Sequence, residues 1–173
     1  MVVTAFFFIF KTNQSKARAT YLENLNTVKN EILYSAADAE TLGNLVNAVW
    51  HDAIFEEYSS QTQKYVSRSF NSYYDFNTAL KNLFADESTK ESVRKIKTDQ
   101  DKIASYIKDL QNPPEDLENC YEVLDDLYSA YLDLTNLVIS PTGSLKSFNE
   151  NFRESDDDAI TNYNKLNAII PEE

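Results

Sequence analysis

From Tyr21 onward, apolar and small residues recur at alternating steps of four and three: Tyr21, Leu25, Val28, Ile32, Ser35, Ala39, Leu42, Val46, Val49 and Ala53. Leu22, Leu33, Ala36, Leu45, Trp50 and Ile54 widen this stripe. Such spacing places one apolar face along an α-helix. The stretch predicts a helix of roughly 48 Å, longer still if it starts near Lys11. The pattern fades at Tyr58-Ser59-Ser60-Gln61. Gly43 falls inside the stripe, where it costs about 1 kcal/mol relative to Ala. Close packing against a neighbouring helix is the reason assigned to it.

A second helix is predicted on Val66, Phe70, Tyr73, Asn77, Leu80 and Phe84, with Phe76 and Leu83 beside them, ending at Ala85-Asp86-Glu87. Ser88-Thr89-Lys90-Glu91 has the form of a capping box, in which the hydroxyl accepts from the amide three residues on and the carboxylate reaches back. It opens a third helix on Val93, Ile96, Gln100, Ile103, Ile107 and Leu110. Proline is welcome only in a first turn. Asn112-Pro113-Pro114-Glu115 therefore assigns Asn112 as the N-cap of a fourth helix, carried by Leu117, Cys120, Tyr121, Leu124, Leu127, Tyr128, Tyr131, Leu134 and Val138. Ser140-Pro141-Thr142-Gly143-Ser144 is a turn. A fifth helix follows on Leu145, Phe148, Phe152, Ala159, Tyr163, Leu166 and Ile170, with a restart signal at Ser155-Asp156-Asp157-Asp158. No alternating run is long enough for a strand. Short connections make sequential helices antiparallel neighbours. The expected fold is all-α: an up-and-down antiparallel bundle of about five helices with a long, projecting N-terminal helix.

Composition supports this class. The 173 residues include two glycines, far too few for the turns of sandwiches, barrels or doubly wound sheets. One cysteine excludes an internal disulfide framework, and one histidine removes most metal and acid–base chemistries. A formal charge of −12 argues against nucleic acid as a partner. The third helix carries six basic residues (Lys90, Arg94, Lys95, Lys97, Lys102, Lys108) and the fourth seven acidic ones (Glu115, Asp116, Glu118, Glu122, Asp125, Asp126, Asp133). The two are therefore expected to lie side by side.

The N-terminus is the main departure from an ordinary soluble bundle. Val2, Val3, Phe6, Phe7, Phe8, Ile9 and Phe10 belong to an apolar run, Val2 to Phe10, in which only Thr4 is polar. It covers about half of the ~20 residues that span a bilayer. It lacks the basic flank and cleavage site of a secretory signal. Three readings stay open: the tail of a membrane helix, a flap docked on the bundle, and an interfacial anchor. In each the run avoids water. The expected domain division is 1–10 as this apolar segment and 11–173 as one bundle.

Several residues invite a chemical reading. His51, Asp52, Glu56 and Glu57 are grouped near one helix end, but the paired Glu-x-x-His pattern of di-iron bundles needs a second histidine. A surface histidine beside the seam residue Trp50 is favoured. Asp156, Asp157 and Asp158 lack the glycine turn and distal Glu of a calcium loop, which leaves a solvated helix start. Cys120 lies in the apolar pattern and reads as a small buried hydrophobe. No phosphate-cradling glycine loop and no nucleophile or zinc motif occurs. The expectation is no enzyme and no cofactor. The 11 tyrosines and 10 phenylalanines remain. Tyr73, Tyr74, Tyr121, Tyr128 and Tyr131 are the candidates for a ligand or partner surface, against a boundary role with rings inward and hydroxyls outward.

Asn-Pro-Pro-Glu from Asn112, the Leu/Tyr ladder from Tyr121 to Tyr131, and Ile-Ser-Pro-Thr-Gly-Ser-Leu-Lys-Ser-Phe ending at Phe148 resemble a group of uncharacterised bacterial proteins. Most come from Gram-positive organisms, with a single N-terminal membrane helix followed by a helical domain. The resemblance implies membrane anchoring with an extracytoplasmic domain and carries no activity. The expected function is a membrane-tethered helical-bundle binding or interaction module. Its partner would be a protein, a cell-envelope component or a second copy, with the membrane met through Val2 to Phe10. The alternative is the ligand-sensing ectodomain of a receptor.

Overall fold

A computed structural model describes the backbone of residues 2–69 and 72–171, with side chains described from Gln14 onward. The chain is 83% helical. Its elements are α1 (Val2–Phe55), α2 (Gln63–Val66), a hairpin of β1 (Ser67–Ser69) and β2 (Ser72–Tyr73), α3 (Phe76–Ala85), α4 (Glu87–Asp109), a 3-10 turn (Glu115–Leu117), α5 (Glu118–Ile139) and α6 (Leu145–Ile169). The fold is the expected all-α class, with six helices among the described residues.

Cross-contacts fix the path. The Tyr21 hydroxyl donates to the Leu110 carbonyl at 2.9 Å, Lys102 meets Glu31 at 2.8 Å, and Trp50 stacks on Phe76 with ring centroids 6.2 Å apart. α3 and α4 thus share one pass that descends along α1. α5 ascends beside α1, with the Ser35 and Tyr131 hydroxyls 2.9 Å apart. α6 descends again, from Phe148 against Trp50 to Asn167 against Lys29. The result is an up-down-up-down bundle of four passes. The core has two parts that meet at Ala36. The lower holds Leu25, Ile32, Ile103, Leu124, Leu127 and Leu166, and the upper holds Val46, Trp50, Leu83, Ile96, Val138 and Phe148.

Gly43 has the expected role. A Cβ there would lie 2.6 Å from Phe152 Cζ and 2.9 Å from Val138 Cγ1. Only a residue without one lets α5 and α6 approach α1 this closely. At the other glycine, φ is +89°, the left-handed turn conformation that lets Ser144 start α6 with a Ser144/Ser147 capping box.

Five expectations are corrected. The predicted second helix is replaced over its first half by α2 and the β1–β2 hairpin, so the chain does contain strand; Phe70, placed on that helix, lies outside the described residues. The cause is Asp75. Its side chain accepts from the amides of Asn77 and Thr78 at 3.1 and 3.2 Å and so sets the start of α3, while the serines before it favour turns over helix. The Ser88–Glu91 box is superseded by Asp86, which ends α3 and caps α4 by accepting from the Ser88 amide at 3.1 Å. Its carboxyl is held down at about 2, first by the Ser88 hydroxyl and then by Lys64. Asn112 caps nothing; the prolines instead lead into the 3-10 turn. α6 runs unbroken through Ser155–Asp158. The basic face of α4 also pairs differently from the expectation. Lys95 and Lys102 bridge to Asp38 and Glu31 of α1, and α5 packs chiefly on α6 and α1.

Candidate functional site

The site begins with the small residues of two antiparallel helices. Ala36 and Ala37 on α1 face Ala159 on α6, and three short side chains cannot fill the space between two helix backbones. A slot of about 320 Å³ is left, floored by Ile32 and by Leu127 of α5 and walled by Leu33 and Ile160. Leu33 and Ile160 are among the few large apolar side chains that remain exposed, at 39% and 51%.

The two helices also touch on either side of this stretch. Above it, Phe152 fills the notch of Gly43. Below it, buried Lys29 donates to Asn167 Oδ1 at 2.8 Å and lies 5.7 Å from the centroid of the Tyr163 ring. The lining runs from Ile32 to Glu40 on α1 and from Asp156 to Asn164 on α6, two turns of each helix or ~12 Å.

Its electrostatics are one-sided at the upper end. Glu40 and Asp156 both line the slot, and no ion pair to either occurs among the described residues. Burial pushes the Asp156 carboxyl above the usual range, and the charges of Glu40 and Asp157 push it further. At the lower end, burial pulls the Lys29 ammonium down. The arrangement offers hydrocarbon contact along its length and negative charge at one end.

The five candidate tyrosines are not brought together. Tyr73 and Tyr74 pack on the upper core near the hairpin, whereas Tyr121, Tyr128 and Tyr131 pack in the lower. Tyr131 is fully buried, its hydroxyl paired with Ser35 and its pKa pushed by burial to about 12. It belongs to the core and to no surface. Tyr73, Tyr74, Tyr121 and Tyr128 are half-buried, as boundary residues are.

His51, Asp52 and Glu57 place one donor atom each within 4.8 Å of one another at the end of α1. The turn accounts for this grouping: one Asp52 oxygen accepts from the Thr62 hydroxyl at 2.6 Å, the other lies 3.3 Å from His51 Nδ1, and the imidazole packs on Phe55. Cys120 is buried with its thiol 3.6 Å from the Ile169 carbonyl, and burial pushes its pKa up.

Sequence reasoning missed Glu40, Ala36, Ala159 and Ile160 as site residues and placed Asp156 at a solvated helix start. Their only signal is a set of alanines at helical spacing, legible once the two helices are known to be neighbours. The side chains of Val2, Val3, Phe6, Phe7, Phe8, Ile9 and Phe10 lie outside the described residues. No helix among the described residues is long and apolar enough to cross a membrane. No family model, curated protein or solved structure matches the chain.

Proposed function

We propose that the chain is a non-enzymatic binding module, a helical bundle carried on the N-terminal extension of α1 and tethered to a membrane through Val2 to Phe10. The observation that carries this reading is the length of α1. The helix is continuous from Val2 to Phe55, and its ion pair to the bundle nearest that end is Arg18 with Asp116 at 2.7 Å. About four turns therefore precede that anchor point. Burying an apolar run of this size at ~25 cal/mol per Å² yields several kcal/mol, which lipid or a second copy can supply. The nine residues cover ~14 Å, so within this chain the run enters one side of a bilayer. The partner is a protein or cell-envelope component, or another copy of the chain, met on the extracytoplasmic side.

The test is deletion of Met1 to Phe10, followed by thermal melting, sedimentation and liposome flotation. An unchanged melting temperature with lost flotation or lost self-association supports the tether. A large loss of stability in a chain that stays monomeric overturns it. The ligand-sensing reading has its own observation, the slot between α1 and α6. A ligand seated there would act on the spacing of the helix that leads to the membrane.

A further inference from the structure

We propose that the slot between α1 and α6 binds a small amphiphilic amine, with its ammonium held between Glu40 and Asp156 and its hydrocarbon body lying over Ala36, Leu127 and Ile160. The inference names the ligand class for the ligand-sensing reading and does not depend on the membrane tether.

Shape gives the size of the occupant. A volume of about 320 Å³ is at the lower end of small-molecule sites. A length of ~12 Å suits an alkyl chain of six to eight carbons. The walls and floor are hydrocarbon, so the body of the ligand is apolar.

Charge gives its head group. α1 presents acids to two of its neighbours. Toward α4, Glu31 and Asp38 each meet a lysine. Toward α6, Glu40 has no lysine beside it among the described residues and lines the slot together with Asp156. Two carboxylates at one end of the same slot, Glu40 exposed and Asp156 half-buried, repel each other, and a cation between them relieves this. Lys29 does not serve, since it is engaged by Asn167 at the opposite end, ~16 Å down the helix from Glu40. A second copy docked with its slot parallel to this one would bring the two acidic ends together, which costs electrostatic energy. An alcohol or a fatty acid would leave the carboxylates unneutralised.

The probe is n-octylammonium, titrated into the full chain with 1-octanol as the uncharged control. Binding is followed by calorimetry and by NMR shifts of the Leu33, Leu127 and Ile160 methyl groups. The expected result is saturable one-to-one binding that perturbs these three methyls. Octanol should bind about tenfold or more weakly, as should octylammonium to the E40Q/D156N double variant. Raising the salt concentration should weaken the amine and leave octanol unchanged. Both substituted positions lie at the rim, and a melting curve of the double variant checks its fold. If that variant does not fold, the amine-to-alcohol ratio on the natural chain decides alone. Equal affinity for amine and alcohol overturns the proposal. So does unchanged affinity in a folded double variant, or shifts confined to other methyl groups. Methyl shifts that depend on protein concentration without amine would assign the slot to a second copy and also overturn it.

Discussion

One helix, α1, has two faces that solve the same packing problem in opposite ways. Toward α4, Ile96, Ile103 and Ile107 are buried, and Lys95 and Lys102 extend over the seam to Asp38 and Glu31. The stems of these lysines cover apolar surface while their heads pair. Toward α6, the helices touch closely at Gly43 with Phe152 and again at Lys29 with Asn167, and part between these points. Alanines stand where the other seam has isoleucines, and an acid faces an acid. Each face has the residue types to close: the α4 seam shows that larger apolar residues and a lysine fit this helix. The open stretch is therefore specific to the residues at α1–α6 and is not imposed by the bundle geometry.

The packing half of this comparison carries the largest effect. Ile103→Ala removes a fully buried side chain from the closed seam and should cost 2–5 kcal/mol, depending on how far the site relaxes (about 2 at the low end). Ile160→Ala on the open seam, where half of the side chain already meets solvent, should stay within about 0.5 kcal/mol. Urea unfolding of both variants measures the difference. Equal costs would mean that the slot is as closed in solution as the α4 seam, and the contrast would fail.

Gly43→Ala sharpens the comparison at the upper edge of the slot. The added methyl meets Phe152 and Val138, and overpacking of this kind costs about 1–3 kcal/mol. The gain in helix propensity returns up to about 1 kcal/mol. The expected net outcome is a lower melting temperature. A higher one would show that the Phe152 ring swings away, and that the slot extends past Gly43.

These two regions also separate what was legible in the sequence from what was not. The stripe from Tyr21 to Ala53 encodes α1 and its buried face, because each residue of a helix face repeats its environment every turn. Gly43 was legible for the same reason, as an interruption with a packing cause. Asp75 was not seen as a cap, since the apolar period on either side of it continues in register and conceals the break, whereas at Asp86 the break was legible and only the cap was misassigned, to Ser88. The partner of each seam was hidden more deeply. Glu31 and Asp38 are ordinary acids on α1 until α4 is placed beside them, and the net charge of α5 misdirected that placement. The slot depends on three alanines from two distant segments and leaves no local trace.

The charged half of the comparison predicts smaller effects. Lys95→Ala removes both the Asp38 and Asp99 contacts from the closed seam. The Lys95 head is more than half exposed, so the loss should be about 0.2–1 kcal/mol and should shrink in high salt. Chemical unfolding at low and high ionic strength measures it. No loss at low salt would mean that neither the stem nor the charge of Lys95 holds α4 to α1, and that the buried isoleucines carry this seam.

Asp156→Asn tests the opposite face and should act with the opposite sign. The Asp156 pKa is raised in the folded chain by burial, by Glu40 and by Asp157. A raised carboxylate pKa means that the folded state holds the proton more tightly than the unfolded state does. Stability is therefore lost as pH rises from the unfolded value of 3.8 through the raised folded value, and at neutral pH the charge is a net burden. Asn carries no charge and has a helix propensity close to that of Asp. The variant should melt slightly higher than the natural chain at pH 7, by no more than about 0.5 kcal/mol of stability, and the two should converge below that window. Saturating n-octylammonium should reverse the order, because a bound cation stabilises the natural chain more than the variant. Melting curves at two pH values, with and without the amine, read all four states. A variant that melts lower than the natural chain at pH 7 without amine would show that the carboxylate has a favourable partner already. The contrast between the two faces of α1 would then be one of packing alone.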